Sequence, residues 1–265
     1  MILGYLFTVG IFLGSFFNVV ADRLPRGKTL NGRSKCDSCH HTLSWYDLIP
    51  LISYTLLSGK CRYCRASLSI QYPLSELATG VLFVLTWQLS TLWYRDFYLH
   101  LIHLAITSVI IIMVLSDLRY HILPDQLQIA LIVFGTLRNI MMWQIAGGGD
   151  SWSALTFMGQ ALFNGAITTL PLLAIYLLTK GRGMGFGDVK LSFSFGYILG
   201  LWEGLGGLYI GFVVGGIIGG LLLLFKLKSL KSKVAFGPFL LLGFYSMLFW
   251  QYEIMSWVGK MYGLW

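Results

Sequence analysis

The chain predicts an all-α polytopic membrane protein, about eight transmembrane helices with one small cysteine-bearing loop. Three observations point there. Apolar residues make up 56% of the 265 and charged residues only 11%, with a mean hydropathy of +0.72, a balance that ordinary soluble domains do not have. The apolar residues fall in runs close to the roughly 20 residues a helix needs to cross the hydrocarbon core. All four cysteines sit in the one long polar segment, 21–74.

The runs place spans near 1–20, 75–94, 98–116, 126–145, 153–178, 189–204, 205–225 and 236–257. The sixth is short, and its boundary with the seventh is soft. The first lacks the preceding basic residue and the small-residue cleavage site of a signal peptide, so it reads as a retained span. Pro124 suits a first helical turn at the start of span four, and Asp125 beside it reads as a helix-start carboxylate. Gly211, Gly215 and Gly219, with Gly216 and Gly220, form the small-xxx-small spacing of packed membrane helices. Trp93, Tyr94 and the stretch from Trp250 to Trp257 read as interface belts. His100 and His103 are expected at the outer interface, Arg138 snorkelling outward, and Glu76 as a charge at a helix amino terminus.

Charge asymmetry sets an orientation. Of 19 Lys and Arg, 16 fall in one set of alternating loops: Arg23 to Arg65 after span one, Arg119 after span three, Lys180, Arg182 and Lys190 around the fifth-to-sixth turn, and Lys226, Lys228, Lys231 and Lys233 after span seven. Only Arg95, Arg138 and Lys260 oppose them. The positive-inside rule then puts both termini outside and the 21–74 loop in the cytoplasm. The net charge of +8 is accounted for by topology, and its partner is anionic membrane lipid, with no nucleic acid.

Within that loop Cys36, Cys39, Cys61 and Cys64 stand as C-x2-C, 21 residues, C-x2-C. Two close pairs held apart match the ligand set of a structural zinc site. A reducing compartment argues against disulfides; free thiols are the remaining alternative. A four-sulfur set leaves no ligand role for His40 and His41, which read as solvated loop residues.

The chemistry-bearing residues are Asp117, closing span three in V-L-S-D-L-R-Y, and Asp188, opening span six in G-M-G-F-G-D-V-K. A carboxylate at the edge of a span is costly and reads as functional. The orientation puts both at the cytoplasmic face. Two carboxylates that meet share one proton, the arrangement that activates water against a peptide bond. Gly183, Gly185 and Gly187 are expected to allow close backbone approach and positive φ beside Asp188, giving an extended peptide access. A phosphate-binding loop would need a preceding strand, which is absent. A proton- or cation-coupled transporter using the same two aspartates is the alternative function; a structural anchor presenting the cysteine loop is a third, and leaves the acids unexplained.

These residues resemble the type IV prepilin peptidases. G-I-F-L-G-S-F-F-N-V-V-A-D-R-L-P-R-G at 10–27, L-S-W-Y-D-L-I-P-L-I-S-Y at 43–54, G-K-C-R-Y-C at 59–64, Y-P-L-S-E-L at 72–77, D-L-R-Y-H-I-L-P-D-Q-L at 117–127, G-M-G-F-G-D-V-K-L at 183–191 and F-G-P-F-L at 236–240 are similar to the family pattern in order and over nearly the whole chain. One departure is Cys36-Asp37-Ser38-Cys39, where a proline commonly follows the first cysteine; the ligand spacing survives it. The resemblance implies that Asp117 and Asp188 are the catalytic pair of a GxGD aspartyl protease in the bacterial inner membrane. It implies removal of the basic leader from prepilins or pseudopilins, and methylation of the new amino terminus with S-adenosylmethionine. It divides the chain into 1–20, a transmembrane helix, 21–74, the four-cysteine zinc loop, and 75–265, the protease core. No methyl-donor site is visible in the sequence.

Overall fold

The computed structural model describes residues 1–182, 184–226 and 235–261. Among these, all long regular elements are helical, and the only paired extended residues are two isolated bridges in the cysteine loop. Helices rise at each of the eight predicted places: α1 (Ile2–Arg23), then, after a short α2 (Ile52–Leu56) inside the loop, α3 (Gln71–Trp93), α4 (Phe97–Tyr120), α5 (Asp125–Ile145), α6 (Ser151–Thr179), α7 (Phe186–Leu199), α8 (Leu201–Leu224) and α9 (Gly237–Met261). Four stretches among the described residues, Ile2–Arg26, Phe97–Tyr120, Ser151–Thr179 and Leu201–Leu224, are long and apolar enough to cross a membrane. The sixth predicted span is the shortest: α7 has 14 residues, about 21 Å at 1.5 Å per residue, against a hydrocarbon core of about 30 Å.

The chain forms two compact units, Met1–Arg119 and Tyr120–Trp265. In the first, α1 packs on α3 through glycine. A Cβ on Gly10 would stand 2.8 Å from the Gly80 Cα, and one on Gly14 would stand 2.9 Å from the Glu76 Cα. Only hydrogen fits there, which lets the backbones approach without a hydrophobic driving force between helices. Helix α4 joins α3 by polar ties. Thr86 and Thr107 hydroxyls lie 3.0 Å apart. Ser90 Oγ lies 2.7 Å from His100 Nδ1 and 2.8 Å from His103 Nδ1. The two histidines are thus buried between α3 and α4 rather than exposed at the outer interface, the Nδ1 of each bonded to a shared serine.

In the second unit α7 is the hub, packed against α5, α6 and α8. The boundary between the sixth and seventh spans falls at Gly200, earlier than the predicted 204/205 junction. Gly200 has φ +107°, a left-handed conformation that glycine tolerates at low cost. Arg138 and Asn139 on α5 explain why the helix can end there. Arg138 donates to the Ile198 carbonyl at 2.7 Å and Asn139 to the Tyr197 carbonyl at 2.8 Å. Arg138 is thus buried at a helix carboxyl end, where cation and orphan carbonyls suit one another; it does not snorkel. The glycine stripe of α8 is only partly a packing seam. Gly211 faces Leu240 of α9 and Gly215 faces Phe236, just before α9, and Phe239 within it, whereas a Cβ on Gly216, Gly219 or Gly220 would meet nothing within 4 Å. Helix α9 bends at Trp250 (φ −119°, ψ 22°).

Candidate active site and metal centre

The four cysteines converge. Their sulfurs lie within 4.8 Å of one another, with Cys36 and Cys64 at 3.8 Å. Zinc–sulfur bonds of about 2.3 Å in a tetrahedron place sulfurs about 3.8 Å apart, so the set fits the metal. The two C-x2-C turns are built alike. Cys36 N–H donates to the His41 carbonyl and His40 N–H to the Cys36 carbonyl; Cys61 N–H donates to the Ala66 carbonyl and Arg65 N–H to the Cys61 carbonyl. The residue after each second cysteine, His40 and Arg65, has positive φ (57° and 59°). Bridges Lys35–Thr42 and Lys60–Ser67 close the two turns. His40 and His41 take no place among the ligand atoms, and the His41 ring lies 3.8 Å from that of Tyr63.

The thiols do not ionise alike. Amides of Cys39 and Ser38 bond to Cys36 and hold it down at about 7. At Cys64 the Ala66 amide favours the thiolate, but burial and the neighbouring sulfurs outweigh it and push the group up to about 11. Zinc binds thiolates, so loading the set would release the protons that remain on it. Asp47 braces it from the W-Y-D-L turn. It accepts from Arg62 at 2.7 Å, from the Ser44 amide at 3.1 Å and from the Tyr63 hydroxyl at 3.2 Å.

Asp117 and Asp188 belong to different compact units, and both are buried, 6% and 8% exposed. Asp117 lies in the last turn of α4, inside the helix rather than beyond it. That helix end is tied down by Arg119, whose guanidinium donates to Asn18 Oδ1 at 2.5 Å and lies over the Tyr72 ring at 5.2 Å; Asn18 in turn bonds Ser75 at 2.8 Å. Asp188 lies in the first turn of α7, where helix amides favour an anion. Lys190 pairs with Asp125 at 2.7 Å, and Gln128 donates to the Gly187 carbonyl at 3.0 Å. Asp125 is thus a helix-start carboxylate with an ion-pair role. Asn18 and Gln128 escape a reading of the sequence, a polar residue on a buried helix face being their only signal, and Arg119 is legible there only as a loop cation.

Neither Gly185 nor Gly187 has positive φ, contrary to expectation: Gly185 sits extended at φ −74° as the residue before α7, and Gly187 is helical. What they provide is room. A Cβ on Gly187 would stand 3.3 Å from Leu123 Cβ, and one on Gly185 3.6 Å from Asp188 Oδ2. Gly183 lies outside the described residues, as do Lys228, Lys231 and Lys233. Glu76 is not a first-turn charge. It is 7% exposed and accepts from the Leu51 amide at 2.9 Å, holding a residue whose φ is +60°.

Two family models match the chain: the bacterial peptidase A24 N-terminal domain over residues 8–89, and the type IV leader peptidase family over residues 104–224. Prepilin leader peptidase/N-methyltransferases from Aeromonas salmonicida and Aeromonas hydrophila are 30% and 32% identical over 95% of this chain and 91% of theirs. One from Neisseria gonorrhoeae is 32% identical over 87% of this chain and 84% of its own. No solved structure matches.

Proposed function

This chain belongs to the type IV leader peptidase family, and from that premise we propose that it cuts the basic leader from type IV prepilins or pseudopilins and then methylates the exposed amine. One observation carries the reading: the two buried carboxylates, Asp117 and Asp188, both fall in the segment matched by the peptidase model, 104–224. The comparisons lend nothing to a transporter.

In this reading the two acids form a dyad that titrates as one unit. The ionised member takes a proton from water, whose oxygen bonds to the scissile carbonyl carbon while the protonated member polarises the carbonyl oxygen. Collapse breaks the C–N bond, and a proton from the dyad leaves with the new amine. The site lies at the cytoplasmic face of the inner membrane, both termini lie outside, and all eight long helices cross or enter the bilayer. Zinc held by Cys36, Cys39, Cys61 and Cys64 would tie the 21–74 loop together; with four sulfur ligands it offers no open position for substrate. The functional division is 1–20 anchor, 21–74 zinc loop and 75–265 protease core.

The leader is basic, and so are the protein's own cytoplasmic loops. Recognition therefore rests on the small residue before the cut and the apolar helix after it. The deciding experiment incubates purified protein with a candidate prepilin, with and without S-adenosylmethionine, and reads intact mass. Loss of the leader mass, followed by gain of one methyl only with the donor, is expected. An unshortened substrate would refute the peptidase reading.

A further inference from the structure

One face of the cysteine loop is apolar and bare. The W-Y-D-L turn at 45–48 and helix α2 lie against each other. Between them they expose Trp45 and Leu48 from the turn and Ile52 and Leu56 from the helix. Ile52 and Leu56 stand four residues apart and share one helical face; they are 55% and 78% exposed. The opposite face, Ser53, Tyr54 and Leu57, is half-buried. Thr55, on the outward side, turns its hydroxyl back to the Leu51 and Ile52 carbonyls at 3.0 Å, and the Ser53 hydroxyl donates to the Ile49 carbonyl at 2.8 Å. Apolar groups outward and hydroxyls satisfied within the segment suit a surrounding that offers no hydrogen bonds.

Depth says what covers this face. Leu51, the residue before α2, donates its amide to Glu76 at 2.9 Å. Glu76 lies opposite Gly14 and Ser15 of α1: a Cβ on Gly14 would stand 2.9 Å from the Glu76 Cα, and the Ser15 side chain bonds the Glu76 carboxylate. Gly14 is nine residues short of Arg23, the last of α1, about 14 Å at 1.5 Å per residue. Helix α1 is long and apolar enough to cross a membrane. Its 22 residues measure about 33 Å, little more than a hydrocarbon core of about 30 Å. The chain therefore leaves α1 at the surface, runs through the first cysteine turn, and comes back at Leu51 to a level below the headgroups. Interfacial helices lie at such a depth, about 5–10 Å into the boundary of headgroups and acyl chains, and tryptophan suits the adjoining headgroup level. The charge of the loop agrees: eight Lys and Arg against three Asp in 21–74 favour an anionic leaflet.

We propose that Ile52 and Leu56 are inserted in the leaflet from which the loop emerges, with Trp45 and Leu48 at its headgroup boundary. The cysteine loop then lies on the membrane as a foot and does not hang in solution. The apolar face is covered by lipid acyl chains, neither by a second copy of this chain nor by an apolar peptide. The inference concerns how the loop is held, and it stands apart from cleavage and methylation.

The test labels lipid directly. Full-length, zinc-loaded protein is reconstituted in nanodiscs of phosphatidylethanolamine and phosphatidylglycerol, with p-benzoylphenylalanine in place of Ile52, Leu56 or Tyr54. Illumination should add the mass of one lipid at 52 and at 56 and none at 54, read by intact mass; zinc content marks each variant as folded. No adduct at 52 and 56, an adduct of twice the chain mass, or equal lipid labelling at 54 overturns the placement. So does a label that moves from lipid to a prepilin when one is added. The unmodified protein supplies a second reading. In the chain itself Leu56 is 78% exposed and Leu30, in the same loop, 43%, so in water alone hydroxyl radicals would oxidise Leu56 faster. A leaflet over Leu56 reverses that order in the nanodisc. Faster oxidation of Leu56 than of Leu30 there overturns the proposal, whatever the variants do.

Discussion

Asp117→Asn and Asp188→Asn keep shape and remove one half of the acid/base pair. Each should lower leader cleavage by at least the order of 10²-fold that positioned proton transfer contributes, with protein still accumulating in the membrane; normal cleavage by either would sink the dyad. Gly187→Val should impair cleavage with both acids intact. The reason is packing: a methyl at Gly187 already meets Leu123 at 3.3 Å, the two further methyls of valine crowd it more, and overpacking costs about 1–3 kcal/mol, relieved by a shift of Leu123 or of the first turn of α7 that holds Asp188. Reversing one leader charge in the substrate should cost less than this variant; a series in which leader charge dominates would refute the account of recognition. At Asp47 burial raises the carboxyl, but bonds from Arg62, the Ser44 amide and Tyr63 outweigh it and hold the group below the usual carboxylate range. A depressed folded value contributes stability above the unfolded pKa of about 3.9 and loses it as pH falls through the folded value. Asp47→Asn should therefore unfold more readily than wild type at pH 7, and the gap should close below about pH 4. A gap that is constant with pH would mean that the charge is irrelevant.

At the scale of elements, the cysteine turns and the end of α7 are the two places where local geometry depends on partners. Purified protein should hold about one zinc per chain, and Cys61→Ser should loosen the 21–74 loop while the long helices stay folded, read by elemental analysis and limited proteolysis. Native protein without zinc, all four thiols freely alkylated, would overturn the metal site. The long helices are legible in the sequence because length and hydropathy are local properties. So are the cysteine pairs, whose spacing alone brings the sulfurs together. Arg138, His100, His103 and Glu76 depart from expectation for a common reason: each is bonded to a group on another element, Ile198 O, Ser90 Oγ or Leu51 N–H, and one sequence does not disclose such pairings. The φ of Gly200 is hidden likewise, since the run G-L-W-E-G-L-G-G at 200–207 offers four glycines and only packing selects the first.

For the whole molecule the orientation is testable with the native cysteines. Cys39 and Cys64 are exposed and lie in the loop that the charge bias places in the cytoplasm. A membrane-impermeant thiol reagent, with a chelator present, should label inside-out vesicles and not intact cells; the reverse pattern would invert the topology. The join at Gly200 has a consequence for how the chain enters the bilayer at all. Helix α7 is 14 residues long and carries Asp188 and Lys190 in its opening turns, so on its own it is a poor insertion signal for the translocon. Helix α8 starts after a single residue and lies against it, a Cβ on Gly204 standing 2.8 Å from the Gly196 amide. On the proposal that all eight long helices enter the bilayer, the two partition together, as one hairpin whose apolar second arm draws the polar first arm into the lipid. A bulky residue at Gly200 would then show itself first as failed biogenesis, with α7 stranded on the cytoplasmic side, before any assay of cleavage could register it.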